Sequence, residues 1–546
     1  MTRVWRYLRP LLPGAADYAP VRRTWRGDLL AGVTVGIVAL PLALAFGVSS
    51  GAGAEAGLIT AIVAGIVAAV FGGSNVQVSG PTGAMVVVLG PIVATHGPGV
   101  VALVSVLAGV VVLVAGVLKV GRVVGFIPWP VIEGFTLGIA VIIFLQQVPA
   151  AIGSHAGAST NALVAAVQSF AGADPAVIGW ALGAVAVVAA IMVGSARLHP
   201  GLPGSLIAIV VVTLVAVLAR LPLATIGALP AGLAAPTAPT LDWATASTLI
   251  GPVAAVAALA AIESLLSARV GASLADTGAY DPDRELVGQG LASLAAGFFG
   301  GMPATGAIAR TAVNVRSGGR TRLAAIVHAV VLLGVVYLAS TVVGQIPLAA
   351  LAGVLMVTAV RMVSLATVRS VVGSTRSDTV VFVITALITV SFDLIIAVAI
   401  GIVVAMVAAI RALARSGGVH REAIPGTPQP GDAHVALFRL DGALFFGAAE
   451  RMLDAVSAVD DVDVVILRLS QLQLLDATGA RVITEMIQAL ERRGITVLVK
   501  GIQPEHLRLA TRVGVIAALR HENHLFDSLD AAVEHARSHI ARARAA

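Results

Sequence analysis

The stretch GMPATGAIARTAVNVR, residues 301–316, follows an apolar run and holds an arginine at its centre. A second stretch, SGPTGAMV at 79–86, resembles it. Pro81-Thr82-Gly83-Ala84 and Pro303-Ala304-Thr305-Gly306-Ala307 keep the order Pro, Thr, Gly, Ala and differ by one spacer. Each opens a short apolar segment directly after Gly and Pro breakers. Paired interruptions of this kind mark a transporter built from two related halves, whose broken helices start near the bilayer midplane and aim their N-termini at a substrate. A helix N-terminus carries about half a positive charge and unpaired N–H groups, so the expected guest is an anion.

Composition sets the class. Of 546 residues, 58% are hydrophobic and only 12% charged, with 58 glycines, and mean hydropathy is +0.97. These values lie far outside the soluble globular range and describe a polytopic α-helical protein of the lipid bilayer. The absence of cysteine excludes disulfides, thiolate metal sites and cysteine nucleophiles. The net charge of +6 is almost wholly arginine, Lys119 and Lys500 being the only lysines. Arginine beside membrane spans is a topology signal and calls for no nucleic acid. No nucleophile and base constellation, P-loop or dinucleotide fingerprint occurs, so neither an enzyme nor a cofactor is expected. His96, His155 and His199 stand at loop positions without ligand spacing, and no metal site is expected.

Apolar runs of spanning length fall at 29–48, 56–72, 99–118, 129–149, 176–194, 203–219, 247–267, 285–300, 322–344, 348–363, 377–392 and 394–413. With the two short segments from Thr82 and Ala304 the total is about 14 spans. Residues 1–27 form a basic lead holding Arg3, Arg6, Arg9, Arg22, Arg23 and Arg26. If it is cytoplasmic, the inner loops hold Lys119, Arg122, Arg197, Arg269, Arg284, Arg316, Arg320, Arg322, Arg361, Arg369, Arg376, Arg411 and Arg415, and the outer loops only Arg220. The positive-inside rule is then obeyed and both termini are cytoplasmic. Asp393 reads as an outer turn residue. Gly32/Gly36 and Gly134/Gly138 read as close helix packing.

The membrane domain is expected over 28–415. A polar, Pro- and Gly-rich linker, 416–432, leads to a domain at 433–546 in which strand-like pieces (435–440, 444–446, 464–469, 495–500) alternate with helix-like ones (448–459, 478–493, 504–513, 528–540). Such alternation makes a small α/β domain.

Asp28-Leu29-Leu30-Ala31-Gly32, then Pro41 and Ala45-Phe46, Ser79-Gly80-Pro81-Thr82-Gly83, Gly134-Phe135 with Gly138, and Arg310-Thr311 before Asn314 resemble the SulP family of anion transporters. Leu475-Asp476-Ala477-Thr478-Gly479, between a strand and a helix, resembles a STAS domain. The resemblance implies a 7+7 inverted repeat, a core domain moving against a gate in elevator fashion, and a homodimer, with the STAS domain open to a cytoplasmic protein partner. Carried over by position, the anion site is framed by Thr82, Gly83 and Ala84 with Thr305, Gly306 and Ala307, and Phe46 closes one side. Arg310 stands where the family commonly supplies a positive charge. Where the family often has glutamine after the first-span proline, this chain has Leu42, which shifts weight to backbone N–H groups. Where some soluble STAS relatives carry a phosphorylatable serine it has Ala477, leaving Thr478 as a helix N-cap.

The residues support the same picture. An arginine five residues into a half-helix lies below the headgroups, and its fork suits oxyanions; its counterpart in the first repeat is Val87. Gln77 either caps the first half-helix or touches substrate. Glu263 interrupts the apolar run at 256–266, with Ser267 one turn later on the same face. Such a glutamate carries a proton with the anion, or joins the hydroxyl in holding Na+. The reading is a secondary active transporter of small anions, sulfate first and bicarbonate or dicarboxylate next, coupled to H+ with Na+ as the rival. An uncoupled channel or exchanger, and a membrane anion sensor signalling through the STAS domain, stand as alternatives.

Overall fold

The computed structural model describes residues 7, 9–122, 128–155, 157, 159, 161–199, 202–229, 232, 233, 235–240, 243–274, 276–391, 400, 401, 403, 404, 406, 407, 410, 418–444 and 461–545. Asp393, most of the span expected at 394–413, the helix expected at 448–459 and the boundary at 415–416 lie outside these residues. The chain forms two compact units, Met1–Ile402 and Val403–Ala546.

In the first unit, eight of the described helices are long and apolar enough to cross a membrane. The first half runs α1 (Val21–Ser49), α2 (Ala54–Phe71), a two-residue strand β1 (Ser79–Gly80), the half-helix α3 (Gly83–His96), α4 (Val100–Val117), α5 (Trp129–Gln146), α6 (Pro175–Leu198) and α7 (Gly204–Leu218). The second half runs α8 (Ile250–Leu274), α9 (Pro282–Phe298), β2 (Thr305–Gly306), the half-helix α10 (Ile308–Arg316), α11 (Arg322–Gly344), α12 (Leu348–Met362) and α13 (Arg376–Ser391). Adding seven to a helix number reproduces its packing. Helix α1 packs on α11 as α8 packs on α4; α2 packs on α11 as α9 on α4; α5 packs on α13 as α12 on α6; α1 packs on α10 as α8 on α3. Seven is odd, so the second half threads in the opposite sense, which is the inverted repeat. Leu198, Leu218 and Leu338, 82%, 74% and 90% exposed, face outward as lipid-facing leucines do.

Charges at the helix ends are placed by the orphan backbone groups there. Helix α1 starts eight residues before the apolar run because Arg22, Arg23 and Arg26 stay exposed while Asp28 turns inward. The buried Asp28 accepts from Arg320 N at 2.7 Å, Thr321 N at 2.9 Å and the Thr321 hydroxyl at 2.7 Å. It is an anion at the start of α11, where the helix dipole favours one. Arg322, expected in an inner loop, is only 2% exposed. Its guanidinium donates to the carbonyls of Ala69 at 3.1 Å and Gly72 at 2.6 Å, and so caps the end of α2.

Glycines set the helix separations. A Cβ on Gly32 would lie 2.6 Å from Ala324 O on α11, and one on Gly134 2.5 Å from Phe382 O on α13. The α4–α9 contact is as close: a Cβ on Gly290 would lie 2.5 Å from Leu113 N, and one on Gly109 2.8 Å from Leu294 N.

The second unit is a five-stranded sheet in the order β3 (Gly418–Glu422), β4 (Val435–Leu444), β5 (Val464–Leu475), β6 (Thr496–Lys500), β7 (Leu525–Phe526), parallel except for β3. Among the described residues, helices α14 (Ala477–Arg492), α15 (Pro504–Val513) and α16 (Leu529–Ala545) accompany it. Alternation along the strands feeds two cores. Leu440, Leu467 and Val497 pack with Ile483 and Ile487 of α14, and Leu437, Ile466 and Leu498 pack with Val533 and Ala536 of α16. Two features differ from the sequence reading. Part of the expected linker is the edge strand β3, because Glu422 pairs across the sheet with Arg439 at 2.6 Å and Arg468 at 3.0 Å, contacts that a polar GVHRE run does not advertise. The N-cap of α14 is Asp476, which accepts from Gly479 N at 2.7 Å, and Thr478 lies inside the helix.

Filling the α4–α9 contact must push the helices apart, at about 1–3 kcal/mol for an overpacked site. Gly290→Leu is therefore expected to lower the thermal midpoint of the detergent-solubilised protein. Gly334→Ala on α11, where a Cβ meets nothing within 4 Å, should leave it level or raise it. Equal midpoints for Gly290→Leu and wild type would mean that this contact does not set the helix spacing.

Candidate functional site

Membrane-depth backbone outside helices must find its hydrogen bonds within the protein. Here the two interruptions satisfy one another. Strands β1 and β2 pair antiparallel, Ser79 opposite Gly306 and Gly80 opposite Thr305, and Ala307 N extends the ladder to Val78 O at 2.9 Å. From this clasp the two half-helices depart. Thr82 is the extended N-cap of α3, and Ala307 that of α10.

Side chains from neighbouring helices hold the clasp. Thr60 on α2, inside a π-helical turn at Thr60–Ala64, accepts from Met302 N at 2.7 Å. Gln289 on α9 donates to the Ser79 hydroxyl at 2.6 Å. Ser264 on α8 accepts from Gly306 N at 3.1 Å. Thr311 accepts from Val78 N at 3.1 Å, and Asn314 donates to Val76 O at 2.7 Å. Ser264, Thr305, Thr311 and Asn314 are fully buried.

At the centre stands Glu263. One of its oxygens accepts from the Thr82 hydroxyl at 2.7 Å and from the Thr305 hydroxyl at 2.8 Å, and the two hydroxyls lie 3.3 Å apart. One carboxylate on α8 thus joins the equivalent threonines of both repeats. Hydrogen bonds to a charged group contribute about 1.5–3 kcal/mol each.

Arg310 is not five residues into its helix but the third, because β2 takes up the residues before Ile308. It is 2% exposed, and its Nη2 donates to the Pro81 carbonyl of the other repeat. Its Nη1 has no hydrogen-bond partner and lies over Gly80, where a Cβ would come within 2.7 Å. A cation in the first turn of a helix is disfavoured by the dipole, and the carbonyl from the opposite repeat offsets that cost. Arg310 and Glu263 form no ion pair.

The remaining expected residues fall around this centre. Phe46 lies against Gly83: a Cβ there would be 3.4 Å from the Phe46 ring and 2.4 Å from Ile143 of α5. Ala84 and Ala307 are buried. The Gln77 amide presses on Gly306, where a Cβ would fall 1.8 Å from Nε2, and neither end of that amide has a partner. Ser267 is not brought to Glu263; its hydroxyl lies 3.1 Å from that of Thr311. The hydroxyls that reach Glu263 are the threonines of the half-helices, which sequence reasoning assigned to the anion alone. Thr60, Ser264, Gln289 and Thr311 went unnoticed as supports. For Thr60, Ser264 and Gln289 the signal is a polar side chain inside a largely apolar run; Thr311, between Arg310 and Asn314, has none. Further along α3 a cavity of about 530 Å³ opens, lined among others by Val87, Ile142, Gln146, Ala255 and Thr389.

Comparison with known proteins fits this architecture. The model of the sulfate permease family matches residues 25–385, and that of the STAS domain matches 427–532. A candidate sulfate transporter of Bacillus subtilis, YvdB, is 34% identical, with 92% of this chain and 96% of that protein covered. The bicarbonate transporter BicA of a Picosynechococcus strain is 31% identical over 85% of this chain and 87% of its own. Among solved structures, murine Slc26a9, an anion transporter in the inward-facing state, superposes with a TM-score of 0.82 at 18% identity, covering 94% of this chain and 91% of that one. The transmembrane domain of a cyanobacterial BicA gives 0.61 at 32% identity, covering 69% and 97%. The chain belongs to the sulfate permease family of membrane anion transporters and ends in a STAS domain.

Proposed function

We propose that this chain is a secondary active transporter of small anions in the cytoplasmic membrane, with both termini in the cytoplasm, coupled to protons through Glu263. Sulfate is the first candidate and bicarbonate or a dicarboxylate the next, in keeping with the names of its relatives. The core carries the anion past the gate in an elevator-like movement, and the protein works as a homodimer. The observation that carries the reading is the Glu263 carboxylate, held by Thr82 and Thr305 where two half-helix N-termini meet.

The anion is held by the backbone N–H groups of Gly83 and Ala84 and by the free Nη1 of Arg310, with Gly306 and Ala307, whose own N–H groups go to Ser264 and Val78, lining the facing side, Phe46 as an apolar wall and Gln77 beside it. An ionised Glu263 occupies the same positive region and repels the guest. At ~5 Å and an effective dielectric of about 20, the repulsion is about 3 kcal/mol, or roughly two orders of magnitude in affinity. Protonating Glu263 removes it and frees the threonine hydroxyls. Proton and anion binding therefore promote one another by the same factor.

Radiolabelled sulfate, bicarbonate and succinate uptake into proteoliposomes tests this. An inward proton gradient is expected to drive one of them in the wild type, and Glu263→Gln to transport downhill without responding to the gradient. Driving by a sodium gradient instead would assign the oxygens of Thr82, Thr305 and Glu263 to Na+. Flux indifferent to both gradients means a channel or exchanger, and no flux of any anion means a sensor.

Loss of a charged hydrogen bond of about 1.5–3 kcal/mol predicts that Arg310→Gln raises the apparent KM of the transported anion by about ten- to hundredfold. An unchanged KM with a lowered melting point would reduce Arg310 to a peg for the Pro81 carbonyl.

Gly306→Ala should weaken anion binding by displacing Gln77, and Gln77→Ala should restore part of it in the double variant. Strict additivity of the two effects would mean that the contact plays no part.

A further inference from the structure

The second unit contains a cluster that anion transport does not use. His524 ends a short 3-10 turn, Glu522–His524, that leads into β7, while His535 and His539 stand one turn apart on α16. Their ring centroids form a nearly equilateral triangle: 5.5 Å from His524 to His535, 5.5 Å from His524 to His539, and 4.9 Å from His535 to His539. A ring nitrogen from each lies within 4.8 Å of the others.

The Nε2 atoms of His535 and His539 are 3.2 Å apart. Two nitrogens on one tetrahedral Zn2+, with bonds of about 2.0–2.1 Å, stand about 3.3 Å from each other. The α16 pair is therefore already at ligand spacing. The third member adds an independent sign: His524 is 4% exposed, and its Nδ1 is buried without a hydrogen-bond partner. A buried polar atom without a partner is costly, and a bound ion removes the cost whether it takes that atom directly or reorients the ring.

We propose that His524, His535 and His539 form a three-histidine site for a borderline transition-metal ion, Zn2+ or a neighbour such as Co2+, Ni2+ or Cu2+, that fastens α16 to the β7 end of the sheet. An all-imidazole set excludes Ca2+ and Mg2+, which require oxygen ligands, and leaves a fourth position for water or a further donor. The adjacent cations are otherwise engaged. Arg520 pairs with Glu491 at 2.9 Å, and Arg542 donates to the carbonyl of Ser538 at 3.2 Å. His521, 6.3 Å from His524 ring to ring, lies outside the triangle.

The test uses full-length, tag-free protein in detergent, stripped with chelator and dialysed against Zn2+ or Co2+. Metal analysis is expected to find one ion per chain, and the Co2+ form to show the intense visible bands of a tetrahedral site. His535→Gln/His539→Gln, changed at two half-buried positions, should lose both signals while its chelator-treated melting curve matches the chelator-treated wild type. His521→Gln should keep both. The proposal fails if the wild type binds no more metal than the double variant, if the spectrum is that of octahedral aquated Co2+, or if His521→Gln loses binding equally.

Discussion

A polypeptide that stops being helical inside a membrane must supply a partner for every N–H and C=O it releases. In this protein that constraint is met at one place, where β1 and β2 pair and a single carboxylate on α8 takes the hydroxyls of Thr82 and Thr305, residues 223 positions apart. Everything nearby serves the junction. Gln289 comes from α9, Thr60 from the π-helical turn of α2, Ser264 from the same α8, and Asn314 from α10. Helices α3 and α10 have no independent placement. They point as they do because the clasp fixes their first residues.

The two halves repeat in packing but not in charge. Helices α1 and α8, α4 and α11, and α5 and α12 exchange roles about the pseudo-two-fold, whereas Arg310 has Val87 as its sequence counterpart in the first repeat and Glu263 has no acidic counterpart in α1. A symmetric scaffold therefore holds an asymmetric centre. The repeats provide two inward N-termini and two threonines. The single arginine crosses to the Pro81 carbonyl of the other half and so belongs to both.

Much of this was legible in the residues. Long apolar runs give the spans because membrane length and helix rise leave little choice, and the paired Pro, Thr, Gly, Ala runs locate the half-helices. What escaped depends on the register of irregular backbone. Two strand residues delay the start of α10, which moves Arg310 to its first turn, and the same geometry turns Ser267 to Thr311 instead of Glu263. The edge strand Gly418–Glu422 looked like linker because its stability comes from arginines on β4 and β5. His535 and His539 carry a legible one-turn spacing, but His524 joins them only once β7 and α16 have packed.

On the proposed reading, charge counting at the centre ties substrate to coupling. Two half-helix N-termini contribute about half a positive charge each, and Arg310 adds one, so the framework offers about two positive charges. With Glu263 protonated, that total matches a dianion such as sulfate. With Glu263 ionised, it falls to about one, which suits a monoanion such as bicarbonate. Under this arithmetic the valence of the cargo and its dependence on protons are not separate properties. On the proposed reading a chain that moves the dianion on this framework needs the proton most, and one that moves the monoanion gains less from it. If Glu263 is the coupling residue, as proposed, the protonation state of the group that fastens the two repeats together also decides which anion is balanced at their junction.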